Sequence, residues 1–500
     1  MHRASRRMRD GGSEKTYLAF DLGAESGRAI LGRLRSDVLT VEEIHRFPNE
    51  PVEYGGSLHW DVARLWLELR RGMSKLRDRP PNGIGVDAWG VDYALLGERG
   101  ELLENPYHYR DNRTAGIMEE VFRLVSPEEI YDATGIQFMP INTLYQLYAA
   151  KLKSPRLLEA ANRLITIPDL FHYWLSGNAV CEFSIASTTQ MADPRSRNWA
   201  VPLLDRLDLR SDLPGPIVEP GTIIGDVLPR VMPEWSSTAV ITPASHDTGS
   251  AVAAVSARDG TAFLSSGTWS LLGIEVDTPV ITPEARQLNF TNEGGVCGTT
   301  RLLKNMTGLW LLQGCRKVWS ENGTPHEYQD LTRAAVQSPA FQHLVDPDNE
   351  IFLLPDNMLA AIDRFCTYTD QPKPRTVGAY VRAVLESLAL KYRGVIRKLE
   401  RLTGAPIAQI RIIGGGSRNR LLNRFTADAT GRRVLAGPVE ATALGNIGMQ
   451  MLATAATTSL AETRRVIARS CETEIFEPLD PAPWDSAAER FEQYCAVNLG

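Results

Sequence analysis

Two short segments far apart in this chain of 500 residues have the same form. Tyr17-Leu18-Ala19-Phe20 is an apolar run of strand length. Asp21-Leu22-Gly23-Ala24-Glu25-Ser26-Gly27 has turn chemistry, and Arg28 to Leu34 returns as a second strand. Thr261-Ala262-Phe263-Leu264, the polar turn Ser265-Ser266-Gly267-Thr268 and the returning strand Trp269 to Val276 repeat that plan. One strand–turn–strand unit opening each half points to an internal duplication, and so to two similar halves, with the boundary near Asp259-Gly260.

The remaining pattern alternates strands with helices. Asp61 is a candidate N-cap, followed by Val62, Leu65, Trp66, Leu69 and Met73 at helical spacing. Ile84 to Leu96 reads as two strand pieces. Asn142 to Leu158 and Ile167 to Leu175 read as helices, the second stopped by Gly177. The Pro- and Gly-rich stretch from Val201 to Trp235 reads mostly as loop, Ala239-Val240-Ile241 as a strand, and Gly249 to Ala257 as a tightly packing helix. A long apolar stripe from Ala379 to Leu402 ends at Gly404, a candidate C-cap. A strand over Ile407–Ile413, a helix over Asn419–Thr430, the strand Val434-Leu435-Ala436 and a helix over Ala441–Ala455 complete an α/β pattern. Ala441, Ala443, Gly445 and Gly448 suit a close helix crossing near a hinge.

Composition narrows the function classes. With 43% hydrophobic and 23% charged residues the chain can bury ordinary cores, and no apolar run approaches the roughly 20 residues of a membrane span. A net charge of -6 gives no electrostatic purchase on nucleic acid. The six cysteines form no C-x-x-C pair, which fits a reduced, cytoplasmic setting. The opening residues are basic and polar without the apolar stretch of a signal peptide, and read as a disordered tail over 1–15 or a mis-assigned start.

Four motifs carry candidate chemistry. The first turn, Asp21 to Arg28, is either a plain hairpin turn with a surface Arg or an anion cradle. In the cradle, backbone N–H groups converge, Ser26 adds a hydroxyl, Arg28 adds positive charge and Asp21 can hold a hydrated magnesium ion beside phosphates. The second turn, Ser265 to Thr268, gains meaning as its partner, because two facing turns can clamp a polyphosphate. Gly414-Gly415-Gly416 runs from a strand into a helix, where the backbone admits a ligand and the helix start favours negative charge; the alternative is a flexible loop. Asn419 stands where a dinucleotide fingerprint needs its third Gly. Asp247, in His246-Asp247-Thr248, is an N-cap, a general base, or both, with His246 and Thr248 placed to bond a polyol. No P-loop, protein-kinase signature, G-x-S-x-G or H-E-x-x-H is present.

In order, the runs DLGAESGR, VDAWGVD, SHDTGSAVA, LSSGTWSLLG, NEGG, LKNMTGLWLLQ, IIGGGSRNRLLNRF and AGPVEATALGNIG resemble the FGGY carbohydrate kinases from about residue 17 to 455. The resemblance implies an α/β fold of two actin/Hsp70-like (ribonuclease H-like) ATPase domains flanking a cleft. It implies a sugar-binding domain over 16–258, a nucleotide-binding domain over 259–456 and a C-terminal extension over 457–500 packed on the kinase. Within the family the match is to the branch acting on L-rhamnulose, and Ala24 and His246 suit that branch where many members carry other residues. The implied reaction uses ATP and magnesium. Ala24, Glu25, Ser26, Gly27 and Arg28 match the first phosphate loop and Thr268 the second; Gln313 and Gly415 match nucleotide-contacting positions. Gly90, His246, Asp247, Thr248 and Asn305 match sugar-contacting positions, with Asp247 as the base, and Asp21 resembles the carboxylate that acts on the metal through water. The implied partners are a small sugar and ATP, with neither nucleic acid nor membrane, in a monomer or small homo-oligomer. The competing expectations are a kinase of another ketose or deoxysugar such as fuculose or xylulose, an actin-like ATPase without sugar chemistry, and, on the Gly414 loop, a dinucleotide oxidoreductase.

Overall fold

A computed structural model describes residues 14–496. Most of the expected tail over 1–15 lies outside the described residues, but Lys15 already belongs to the first strand.

The first sheet contains β1 (Lys15–Leu22), β2 (Ser26–Arg35), β3 (Val38–Pro48), β4 (Gly83–Ala88), β5 (Thr222–Asp226) and β6 (Ala239–Thr242), in the spatial order β5-β6-β4-β1-β2-β3. The second contains β7 (Thr261–Ser266), β8 (Trp269–Val276), β9 (Thr291–Gly294), β10 (Thr300–Thr307), β11 (Gln409–Ile413), β12 (Arg433–Ala436) and β13 (Glu474–Phe476), in the order β9-β10-β8-β7-β11-β12-β13. The duplication is visible in the ladders. β1 pairs antiparallel with β2 and parallel with β4, and β7 pairs antiparallel with β8 and parallel with β11. Each sheet ends in an antiparallel edge strand, β5 on β6 and β13 on β12.

The stretch 201–235 is mostly loop, as expected, but it also contains β5. β5 is an edge strand whose register shifts between Ile223 and Gly225, with Gly225 at φ 138°, and a bulged edge of that kind leaves little alternation in the sequence. A short helix, Val201–Arg206, also lies there.

β1 is apolar from Tyr17 to Phe20 because both of its faces are covered there. Leu18, Phe20 and Leu22 meet α1 (Val62–Ser74) and α2 (Ile167–Ser176). Asp61 caps α1 by accepting the Arg64 N–H at 3.0 Å, and Gly177, left-handed, ends α2. Tyr17 and Ala19 point the other way, into an apolar cluster to which α3 (Asp247–Ala253) also contributes. Between β4 and β5 a mostly helical insertion builds its own core around Tyr145, Leu144 and Ile130. The helix expected over Asn142–Leu158 is two pieces there, Thr143–Lys153 and Pro155–Ala160, because Pro155 cannot continue the first.

The outer face of the second sheet carries α4 (Trp310–Glu321), α5 (Val377–Thr403) and α6 (Arg420–Thr430) on the largest core. α7 (Ala441–Ala453) leaves that half and crosses α3, so that one apolar cluster runs from Tyr17 and Ile30 through α3 and α7 to Phe263 and Leu303. Gly445 makes the crossing possible: a Cβ there would lie 1.7 Å from the Ser250 carbonyl oxygen. Asn446 and Gln450, both fully buried, enter the first sheet. Asn446 Nδ2 donates to Asp87 Oδ2 (2.6 Å) and Gln450 Nε2 to the Leu18 carbonyl (3.0 Å). Gly85 and Gly83 leave room for them, since a Cβ on either would come within 2.7 Å of Asn446 Oδ1 or 2.9 Å of Gln450 Oε1.

After α7, α8 (Leu460–Arg469) packs on α7 and β3, whereas β13 and α9 (Ala482–Cys495) join the second half through Phe476, Trp484 and Phe491. The last segment therefore touches both halves. Among the described residues no helix is long and apolar enough to cross a membrane, and the six cysteines are unpaired.

Candidate active site

Three aspartates mark the ends of the parallel strands in the first sheet. Asp21 and Asp87 are register partners on β1 and β4. Asp247 follows β6, where the Ser245 carbonyl accepts the Ala88 N–H at 2.9 Å. In open α/β sheets ligands bind beyond such strand ends, and a cavity of about 660 Å³ opens here with walls from both halves.

The two polar turns meet at this cavity. Gly23 to Ser26 line one side and Ser265 to Thr268 the other. Thr268 Oγ1 donates to Glu25 Oε1 at 3.3 Å, and Gln313 Nε2, from α4 behind the wall, donates to Thr268 Oγ1 at 3.2 Å. Gly27 does not reach the cavity. It pairs with Leu22 in the β1–β2 ladder and lies under the Phe47 ring. Arg28 does reach it, and its guanidinium is held between Asp21 (2.5 Å) and Glu440, which precedes α7. Burial pushes the Asp21 carboxyl above its ordinary value against the pull of Arg28, and nearby Asp247 and Glu440 push the same way.

At the other end stand His246, Asp247 and Thr248. α3 begins at Asp247 with His246 as its N-cap residue, so Asp247 occupies the first helical position instead of the cap. Its Oδ1 accepts the Thr248 N–H (2.5 Å) and Oγ1–H (3.2 Å). The Asp247 side chain is 35% exposed, against 8% for His246. The His246 ring lies between Asp247 (Nε2 to Oδ1, 3.4 Å) and Glu293 (Nδ1 to Oε2, 3.3 Å).

Behind Glu293 stands a fully buried Arg301, 3.2 Å away on β10, whose Nε donates to the Gly294 carbonyl at 2.9 Å. Burial pushes the Glu293 carboxyl up more than any single neighbour pulls it down, but Arg301, His246 and Asn305 together hold Glu293 below the usual range. Glu182, buried beneath, accepts the Ser245 N–H at 2.8 Å and the Ser184 N–H at 2.7 Å; burial pushes its carboxyl up to about 7. The backbone leading into His246 is thus fixed by buried side chains.

Gly90 and Asn305 face the same end. A Cβ on Gly90 would lie 3.0 Å from Thr188 Oγ1. Val91 beside it has φ 69°, strained for a β-branched residue, at a cost of about 1–3 kcal/mol that its surroundings must over-determine. They do so through Thr188, which accepts the Val91 N–H (3.2 Å), and Thr143, which donates to its carbonyl (2.6 Å).

The three consecutive glycines after β11 have separate reasons. Gly414 has φ 80°; a Cβ on Gly415 meets nothing within 4 Å; a Cβ on Gly416 would strike Ser266 Oγ at 2.2 Å. Gly415 lines the cavity beside Arg418 and Glu440.

Of the residues the sequence pointed to, the cavity wall gathers Asp21, Ala24, Glu25, Ser26, Arg28, Gly90, His246, Asp247, Thr248, Thr268, Asn305 and Gly415, with Gln313 one hydrogen bond behind. The sequence reading did not single out Trp89, Val91, Gln137, Thr188, Glu293 or Glu440. Glu293 and Glu440 lie in the runs NEGG and AGPVEATALGNIG, but nothing in a single sequence separates them from surface carboxylates.

The family model "FGGY family of carbohydrate kinases, N-terminal domain" matches residues 16–254, and its C-terminal counterpart matches 262–454. A protein of Bacteroides thetaiotaomicron described as rhamnulokinase is 44% identical over 96% of this chain and 99% of its own length. One of Pectobacterium atrosepticum with the same description is 42% identical over 96% of each. Among solved structures, ligand-bound xylulose kinase from Lactobacillus acidophilus superposes with a TM-score of 0.79 at 17% identity, covering 96% of this chain and 97% of that one, which supports the shared fold.

Proposed function

Because this chain belongs to the FGGY family of carbohydrate kinases, with that family's two-domain actin/Hsp70-like fold, we propose that it transfers the γ-phosphoryl group of ATP to the 1-hydroxyl of L-rhamnulose, giving L-rhamnulose 1-phosphate and ADP. The sugar is taken from the relatives' description. The observation that carries the chemistry is the meeting of the two turns at a cavity whose other end presents Asp247.

Phosphoryl transfer needs positioning and charge neutralisation more than covalent help. In this reading the two turns hold the triphosphate, and Gly415 lets the nucleotide approach the backbone. Asp247 accepts the proton of the attacking hydroxyl. Its Oδ1 is already bonded to Thr248, which leaves Oδ2 for that proton. Glu293 and Arg301 fix the His246 ring, so that His246 and Thr248 orient the sugar. Closure of the halves excludes water, which competes with the sugar as acceptor.

Magnesium suits the donors present. Among the described residues no group of three or more His, Cys, Asp or Glu forms a metal cage. Magnesium, however, usually takes one or two carboxylates and draws its remaining ligands from phosphates and water. Asp21 fits that pattern, with one oxygen on Arg28 and its charge crowded by Asp247 and Glu440. The ion supplies neutralisation of phosphate charge when bound.

The test is a coupled assay of the purified protein with ATP and magnesium against L-rhamnulose, L-fuculose and D-xylulose, the product being identified by phosphorus NMR. L-rhamnulose should give the highest kcat/KM and a 1-phosphate. A higher kcat/KM for another of these sugars overturns the substrate assignment, and ATP hydrolysis indifferent to sugar overturns the kinase assignment.

A further inference from the structure

The segment between Gly135 and Asn142, in the insertion of the first half, has no helix or strand, yet several of its backbone polar groups are bonded to other parts of the chain. Gln190 Nε2 donates to the Ile136 carbonyl (3.1 Å). Asn289 accepts the Phe138 N–H (2.8 Å) and donates to its carbonyl (3.2 Å). Gln146 Nε2 donates to the Ile141 carbonyl (2.9 Å). The two amide side chains of the segment that line the cavity are engaged as well. Gln137 Nε2 donates to the Asn305 carbonyl (3.1 Å) while its Oε1 accepts the Asn305 N–H (2.9 Å). Asn142 Nδ2 donates to the Gln137 carbonyl and to Gln190 Oε1 (2.9 Å each).

Beside Gln137 and Asn142, the segment offers the cavity three apolar side chains: Ile136, Met139 and Ile141. It stands at the sugar end, since Gln137 grips the backbone of Asn305 and Thr143 just beyond holds Val91. The same cavity also presents the polar side chains of His246, Asp247 and Thr248.

We propose that Ile136, Met139 and Ile141 form a subsite for the terminal methyl group of a 6-deoxyketose, and that this wall, together with the polar triad, sets the orientation of the sugar. The proposal rests on the substrate reading above. L-rhamnulose is 6-deoxy-L-fructose: hydroxyls at one end, a methyl at the other. A hydroxyl on that terminal carbon, set against Ile136, Met139 and Ile141, would meet aliphatic and thioether side chains that cannot donate a hydrogen bond to it and accept one at best weakly, and burying an unbonded hydroxyl is costly.

The experiment compares kcat/KM for L-rhamnulose and for L-fructose, its 6-hydroxy counterpart, in the wild type and in Met139→Gln and Ile141→Thr. Met139→Gln keeps the side-chain length, and two independent substitutions guard against one that fails to fold; ADP affinity and the unfolding midpoint of each variant verify folding. The wild type should prefer L-rhamnulose by roughly tenfold or more, the scale of pocket discrimination over one small group. Each substitution should cut that preference several-fold. A preference unchanged in both folded variants, or a wild type that does not distinguish the two sugars, overturns the methyl subsite and leaves the kinase reading intact. A wild type that phosphorylates neither sugar overturns the substrate reading, and the subsite with it.

Discussion

At the scale of single residues, Asp247 and Gly415 make the most direct claims on function. Asp247→Asn keeps the bonds to Thr248, because an amide oxygen still accepts, but cannot take a proton. Its kcat should fall about 10²–10⁴-fold with nucleotide affinity preserved; steady-state kinetics and ADP titration check this, and near-normal kcat would remove the base assignment. The glycines after β11 give a contrast within two adjacent positions. At Gly415 an added side chain meets no protein atom, so Gly415→Val should fold normally and raise the KM for ATP by tenfold or more. At Gly416 a Cβ collides with Ser266, so Gly416→Ala should lower the unfolding midpoint instead. Both effects falling on the same quantity would mean that the loop is not divided between ligand and packing.

At the scale of elements, the crossing of α3 and α7 is the tightest joint. Helix propensity alone says Gly445→Ala should stabilise by about 1 kcal/mol. The 1.7 Å approach to the Ser250 carbonyl says it should destabilise, by ~1–3 kcal/mol or more, because a backbone atom cannot rotate aside. Denaturant unfolding decides by sign. What the sequence disclosed follows the same division between local and distant causes. The hairpins β1–β2 and β7–β8, the Asp61 cap, and the Gly177 and Gly404 stops are local signals, and the structure has each of them. β5 escaped notice because its bulge at Gly225 breaks the period. The segment around Ile136 to Ile141 escaped because its shape comes from Asn289, Asn305 and Gln190, distant in the chain. Arg301 gave no sign either: an arginine in a strand reads as exposed until its burial against Glu293 is seen.

At the scale of the whole molecule, the duplicated sheets form one body. The cluster joining Tyr17 and Ile30 to Phe263 and Leu303 contains side chains from both halves, and α7 serves as core to each. Large buried apolar side chains contribute roughly 1.5–3 kcal/mol apiece, so neither half should survive loss of the other. Calorimetry should record one cooperative transition, and two separable transitions would contradict this. Asn446 and Gln450 seat against Gly85 and Gly83 as a key in a cut lock, and the four residues come from opposite ends of the chain. A chimera that grafted the front of this kinase onto the back of a cousin would therefore inherit either the notches or the teeth unless all four travelled together. The ancestral doubling of one unit thus ended in parts that can no longer be exchanged.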